Sequence, residues 1–142
     1  MKKELLLVII LGIIIIVLAG VLLFMPRQAK TPVVINAEGL QIDSPKSGQE
    51  VSSPLEITGI TNGWNGFEGQ VGTVQLLDYK GNKVTEGILT ATTDWTKPPV
   101  NFKATLTFSV KTPGPMTLLF KSENPSGDPA SDKTISLPII VK

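Results

Sequence analysis

VNFKATLTFSV, Val100 to Val110, alternates without a break: Val100, Phe102, Ala104, Leu106, Phe108 and Val110 point one way, and Asn101, Lys103, Thr105, Thr107 and Ser109 the other. A helix of 3.6-residue period cannot put those six apolar side chains on one face, so the run is a strand with one side in a core. Working outward, shorter runs of the same kind are readable at Leu40 to Ile42, Leu55 to Thr61, Thr73 to Tyr79, Val84 to Thr90, Met116 to Lys121 and Ile135 to Val141. Turn chemistry separates them: Ser44-Pro45, Gly48, Lys80-Gly81-Asn82-Lys83, Pro98-Pro99, Pro113-Gly114-Pro115 and Ser126-Gly127-Asp128-Pro129. Gly81-Asn82 suits a tight hairpin with positive φ at its centre. No helical period appears after Phe24. About seven short strands, with turn signals at roughly 8 to 12 residue spacing over about 100 residues, predict an all-β, immunoglobulin-like two-sheet sandwich. A small β-barrel is the structural alternative.

The N-terminal part reads differently. LLLVIILGIIIIVLAGVLLF, Leu5 to Phe24, has no charged or hydrogen-bonding side chain. As a helix at ~1.5 Å per residue it covers roughly 30 Å, the hydrocarbon thickness of a bilayer. The expected organisation is a short cytoplasmic N-terminus (1–4), a transmembrane helix (5–25), an extended linker (26–39) and the β-sandwich (40–142). The competing reading is a cleaved signal peptide, with Lys2 and Lys3 as its basic region and Val17-Leu18-Ala19 as its cleavage site. Against it, cleavage after Ala19 falls inside the apolar run, which also exceeds the usual h-region of about 7 to 15 residues. Leu18-Ala19-Gly20 is similar to the front of a lipoprotein box, but Val21 stands where the lipid-bearing cysteine must be. The N-terminal amine, Lys2 and Lys3 outweigh Arg27 and Lys30 by one positive charge. That slight bias directs the N-terminus inward and the domain out of the cytoplasm, at the cell membrane.

Of the 13 basic and 12 acidic residues, Lys2, Lys3 and Glu4 precede the apolar run, which leaves eleven of each sign after it. A neutral domain is a poor partner for nucleic acid. The chain has neither cysteine nor histidine, so it lacks the commonest general base and the two commonest transition-metal ligands. Serines are plentiful but have no histidine to activate them, and Ser44 with Lys46 is a pair only by proximity in a surface turn. Glu68 and Asp94 are not set across a cleft by anything in the sequence, and no phosphate-binding glycine loop follows a strand. The loop Ser122 to Lys133 carries Glu123, Asp128 and Asp132, hard oxygen ligands of the kind calcium takes. Their spacing matches no EF-hand, and Pro125 and Pro129 interrupt it, so solvated carboxylates are the better reading. The expectation is a non-enzymatic domain with no cofactor.

IDSPKSGQEVSSPLEITG (Ile42 to Gly59), GFEG (Gly66 to Gly69), VQLLDYKGNKV (Val74 to Val84), FKATLTFSV and a closing ISLPIIV after an acidic Ser/Gly/Pro loop occur here in order. Together they resemble the immunoglobulin-like domain family of bacterial spore germination proteins, over about Leu40 to Lys142. The resemblance implies a bacterial, extracytoplasmic module of the cell envelope and carries no active site with it, because the shared motifs are turns and core positions. Two loops depart from the family pattern: Trp64 and Asn65 enlarge the one before Phe67, and Trp95 with Lys97-Pro98-Pro99 lengthens another.

The candidate contact residues are Trp64, Phe67, Glu68 and Trp95. Phe67 is expected to pack in the core and Glu68 to be a surface or backbone-capping carboxylate. Trp64 and Trp95 lie in Gly- or Pro-rich loops, where each either covers a core edge or offers a flat face to a ligand. Two functions follow as expectations. The first is a membrane-anchored module that holds an unknown envelope protein; the second is a carbohydrate or cell-wall binding module that meets glycan through the two tryptophans.

Overall fold

The computed structural model describes residues 3–4, 8, 36–37, 39–64 and 66–142. The transmembrane helix expected over 5–25, except Val8, and most of the linker over 26–39 lie outside the described residues. Among the described residues no helix is long and apolar enough to cross a membrane. The chain divides into two units, Met1–Thr31 and Pro32–Lys142, and the β-domain is the second.

Nine strands build it: β1 (Asn36–Ala37), β2 (Leu40–Ser44), β3 (Glu50–Val51), β4 (Leu55–Thr61), β5 (Gln70–Leu77), β6 (Lys83–Ala91), β7 (Val100–Leu106), β8 (Gly114–Ser122) and β9 (Thr134–Val141). The seven longer ones are the seven read from the alternation. The two extra strands are two residues each, too short to leave a period. β1 pairs with β2 (Asn36↔Gln41, Ala37↔Leu40), so sheet structure begins inside the segment expected to be linker.

The hydrogen-bonded order is β1-β2-β4-β7-β6-β5-β8-β9-β3. β7 lies against β4 over seven pairs, from Leu55↔Leu106 to Thr61↔Val100, whereas it meets β6 only at Thr90↔Lys103 and Ala91↔Phe102. The sheet therefore folds over at that corner. β1, β2, β4 and β7 form one face of an immunoglobulin-like domain, and β6, β5, β8, β9 and β3 the other. The expected pair of sheets is in fact one continuous curled sheet.

Strict alternation carries the core. β4, β7 and β9 bury every second residue, and Phe102, Phe120, Ile57, Leu76, Leu118 and Leu137 are almost wholly enclosed. Each such side chain contributes roughly 1.5–3 kcal/mol relative to exposure. Gly59 is paired with Phe102, and a methyl group there would come within 2.5 Å of the Phe102 ring carbon Cζ, so the glycine makes room for the ring.

Two local departures from the expected pattern have plain causes. The run beginning at Val100 leaves the sheet after Leu106, which pairs with Leu55, the first residue of β4. The Phe108 amide instead donates to Ser53 Oγ at 2.9 Å, and Phe108 and Val110 pack half-buried against the core. The hairpin at Gly81-Asn82 has a three-residue loop, Tyr79–Gly81, rather than a two-residue one. Gly81 alone takes positive φ (83°), and Asp78 Oδ1 accepts the amides of Lys80 and Asn82 at 2.8 and 2.9 Å. That side chain forms the turn, which moves the positive-φ position to the third loop residue.

After β2, Ser44-Pro45 and Gly48 (φ 73°) carry the chain across to the opposite face. The Gly48 amide donates to the Pro138 carbonyl at 2.8 Å, and β3 then pairs parallel with β9. Val51, Leu55 and Ile57 return to the core as expected.

Candidate functional site: the loop end

The directions of the strands bring the β4–β5 loop (62–69), the β6–β7 loop (92–99) and the β8–β9 loop (123–133) to one end of the domain. All four candidate residues lie there, but the fold uses them differently.

Trp64 turns inward, with only 4% of its surface exposed. The Thr61 hydroxyl, itself buried at the end of β4, accepts the Trp64 backbone amide at 3.1 Å and fixes this entry. Of the two readings left open for Trp64, the core-covering one holds. A platform of two exposed tryptophans is not assembled, since Trp95 is 39% exposed and Trp64 is enclosed.

Phe67 overturns its expectation. It is 53% exposed rather than in the core. The cause is the turn it opens: the Phe67 and Gln70 amides and carbonyls bond reciprocally at 2.9 Å, closing a two-residue hairpin on Glu68 and Gly69. Both central residues have positive φ, 50° and 84°, the mirror-image turn that suits the twist of a hairpin. With Val71 already committed to the core, the reversal leaves Phe67 at the rim. Glu68 is exposed as expected and is the one non-glycine residue with positive φ among those described, a conformation that costs about 1–2 kcal/mol.

Trp95 sits in a turn tied by Asp94. The Asp94 carboxylate accepts the Thr96 hydroxyl at 2.6 Å and the Thr96 amide at 3.0 Å, and pairs with Lys97 Nζ at 3.0 Å. Those bonds, the Thr96 hydroxyl first, hold the Asp94 carboxyl below its ordinary range. The β4–β5 and β6–β7 loops touch: a methyl group on Gly66 would lie 3.9 Å from Trp95 Cβ, and the Ala91 amide donates to the Gly69 carbonyl at 2.8 Å.

On the other side of the β4–β5 loop, Gly63 and Trp64 face the β8–β9 loop across an open cleft of about 610 Å³. Lys133 Nζ spans it to the Gly63 carbonyl at 3.0 Å. The three carboxylates considered for calcium are used separately. Glu123 accepts Gln70 Nε2 at 2.7 Å, Asp132 accepts Asn124 Nδ2 at 2.6 Å, and Asp128 caps the short 3-10 helix Pro129–Ser131 through the Ala130 amide. Among the described residues no three acidic side chains converge to hold a metal ion. Sequence reasoning missed Lys133 and Glu123 as parts of a shared cleft. Their partners, Gly63 and Gln70, are 70 and 53 positions away, and no local pattern encodes that.

A β-domain with a closed core and its loops at the two ends of the strands belongs to the class of immunoglobulin-like modules. The family model described as the immunoglobulin-like domain of bacterial spore germination matches residues 40–138, and the chain belongs to that family. Among solved structures, the crystal structure of CopC from Methylosinus trichosporium OB3b is similar at 19% identity, with a TM-score of 0.43 over 70% of this chain and 87% of that one. No curated protein sequence matches.

Proposed function

We propose that this chain is a membrane-anchored, extracytoplasmic, non-enzymatic interaction module of the bacterial cell envelope, of the kind found in spore germination-type envelope proteins, and that its loop end binds a partner protein. The observation that carries this is the placement of Phe67 and Trp95 in two touching loops. Both aromatic rings stay substantially exposed although a core was available to take them. Large apolar side chains left at the tips of hydrogen-bonded turns are the residue types that dominate protein interfaces. The apolar run Leu5–Phe24 supports the anchor, and the slight positive excess before it supports an outward-facing domain. The absence of histidine and cysteine, together with loop carboxylates engaged in turn and cap hydrogen bonds, supports a role without catalysis.

The test is photo-crosslinking in intact cells, with a photoreactive amino acid in place of Phe67 or Trp95 and, as a control, of the exposed Tyr79 at the opposite end. The expected result is one reproducible protein adduct from positions 67 and 95 and none from 79. Adducts no more frequent at the loop end than at position 79 would refute the assignment.

A further inference from the structure

The cleft beside Trp64 is a different surface from the one that bears Phe67 and Trp95, and its chemistry is different. Its volume of about 610 Å³ falls within the range of small-molecule sites, about 300–1,000 Å³. Trp64, Glu123, Asn124, Ser126, Ser131 and Lys133 line it, which sets one carboxylate and one ammonium among hydroxyl and amide groups beside an indole. The two charges cancel, and Asp128 and Asp132 belong to the same loop, so an anion gains little there. An apolar ligand would strip water from several polar groups and return no hydrogen bonds. The Lys133 bridge to Gly63 and the Gln70 bond to Glu123 hold the charged groups in place before any ligand arrives, which limits the ordering cost of binding.

We infer that this cleft is a second binding site, and that it takes a neutral, polyhydroxylated ligand, a short saccharide. Hydroxyl groups donate to Glu123 and accept from Lys133, and the oxygen-rich ligand lies along the cleft wall that Trp64 helps to form. This goes beyond the protein-binding surface and does not depend on it.

Tryptophan fluorescence tests the assignment. The chain has two tryptophans, so Trp95→Phe makes Trp64 the sole reporter, in the full-length protein held in nanodiscs. The probes are the soluble tetramer of β-1,4-linked N-acetylglucosamine, cellotetraose and maltotetraose. At least one should change Trp64 emission saturably. Glu123→Gln and Lys133→Met should each weaken that binding about tenfold or more at an unchanged thermal midpoint, and Phe67→Ala should leave it within twofold. Ala130→Phe, which fills the cleft from its wall, gives a second blocking variant whose expected result is loss of binding. The inference is overturned if none of the three saccharides produces a saturable change, or if binding survives in Glu123→Gln, Lys133→Met and Ala130→Phe alike. It is also overturned if a free tripeptide or inorganic phosphate binds in place of the sugars. Crosslinking at positions 67 and 95 reads the protein surface separately, so either reading can fail without the other.

Discussion

At the scale of single residues, the loop end is decided by backbone angles that side-chain character does not announce. Glu68 holds φ at 50° with Gly69 at 84° beside it, and that pair of angles, not hydrophobicity, decides that Phe67 ends outside. A glycine at position 68 adopts the same angle without the Cβ clash, offset in part by the greater freedom it adds to the unfolded chain. Glu68→Gly is therefore expected to raise stability by about 0.5–1 kcal/mol, read as a higher thermal midpoint of the full chain in detergent. A lowered midpoint would mean that the turn is not the one assigned. Glu68 was recognisable in the sequence as an exposed carboxylate. Its strain was not, because φ at a turn centre is set by where the flanking residues must hydrogen-bond.

Among the strands, period-two alternation was enough to find all seven long elements and to orient every inward face of β4, β7 and β9. What it could not find were contacts made by backbone alone. Gly72 in β5 lies opposite Ser122 of β8, and a Cβ placed there would run into the Lys121 carbonyl oxygen. Backbone cannot retreat as the end of a flexible side chain can. Gly72→Ala is expected to cost about 1–3 kcal/mol, in the range of an overpacked core, measured as a lower denaturant midpoint with the slope unchanged. A loss below about 0.5 kcal/mol would show that the strands can separate there at little cost. The end of β7 at Leu106 belongs to the same lesson: Phe108 and Val110 continue the alternation, yet pairing stops opposite Leu55 and the Phe108 amide turns to the Ser53 hydroxyl.

For the whole molecule, the proposal places a binding surface outside the cytoplasm on a single N-terminal anchor. Protease added to intact spheroplasts should remove the β-domain while a cytosolic control stays whole. A domain as protected as that control would put it on the wrong side of the membrane. The family and the seven longer strands were legible in the sequence, because alternation and turn residues are local properties of the chain; the two-residue strands β1 and β3 were not. The lack of histidine and cysteine, on which the expectation of a non-enzymatic role rests, was legible too.

The tertiary structure alone decided which aromatic residues face solvent. Trp64 and Phe67 stand three positions apart in one loop; the sequence left Trp64 open between core edge and ligand face and expected Phe67 in the core, yet Trp64 is enclosed and Phe67 exposed. Thr61 draws the first inward and the Glu68-Gly69 turn carries the second out. The cleft is likewise a product of closure, since Gly63 and Lys133 meet only when the sheet folds over and brings the end of β4 to the start of β9. Local sequence sets which face of a strand is buried; the path between strands depends on hydrogen bonds to residues far away in the chain, and those exist only in the folded domain.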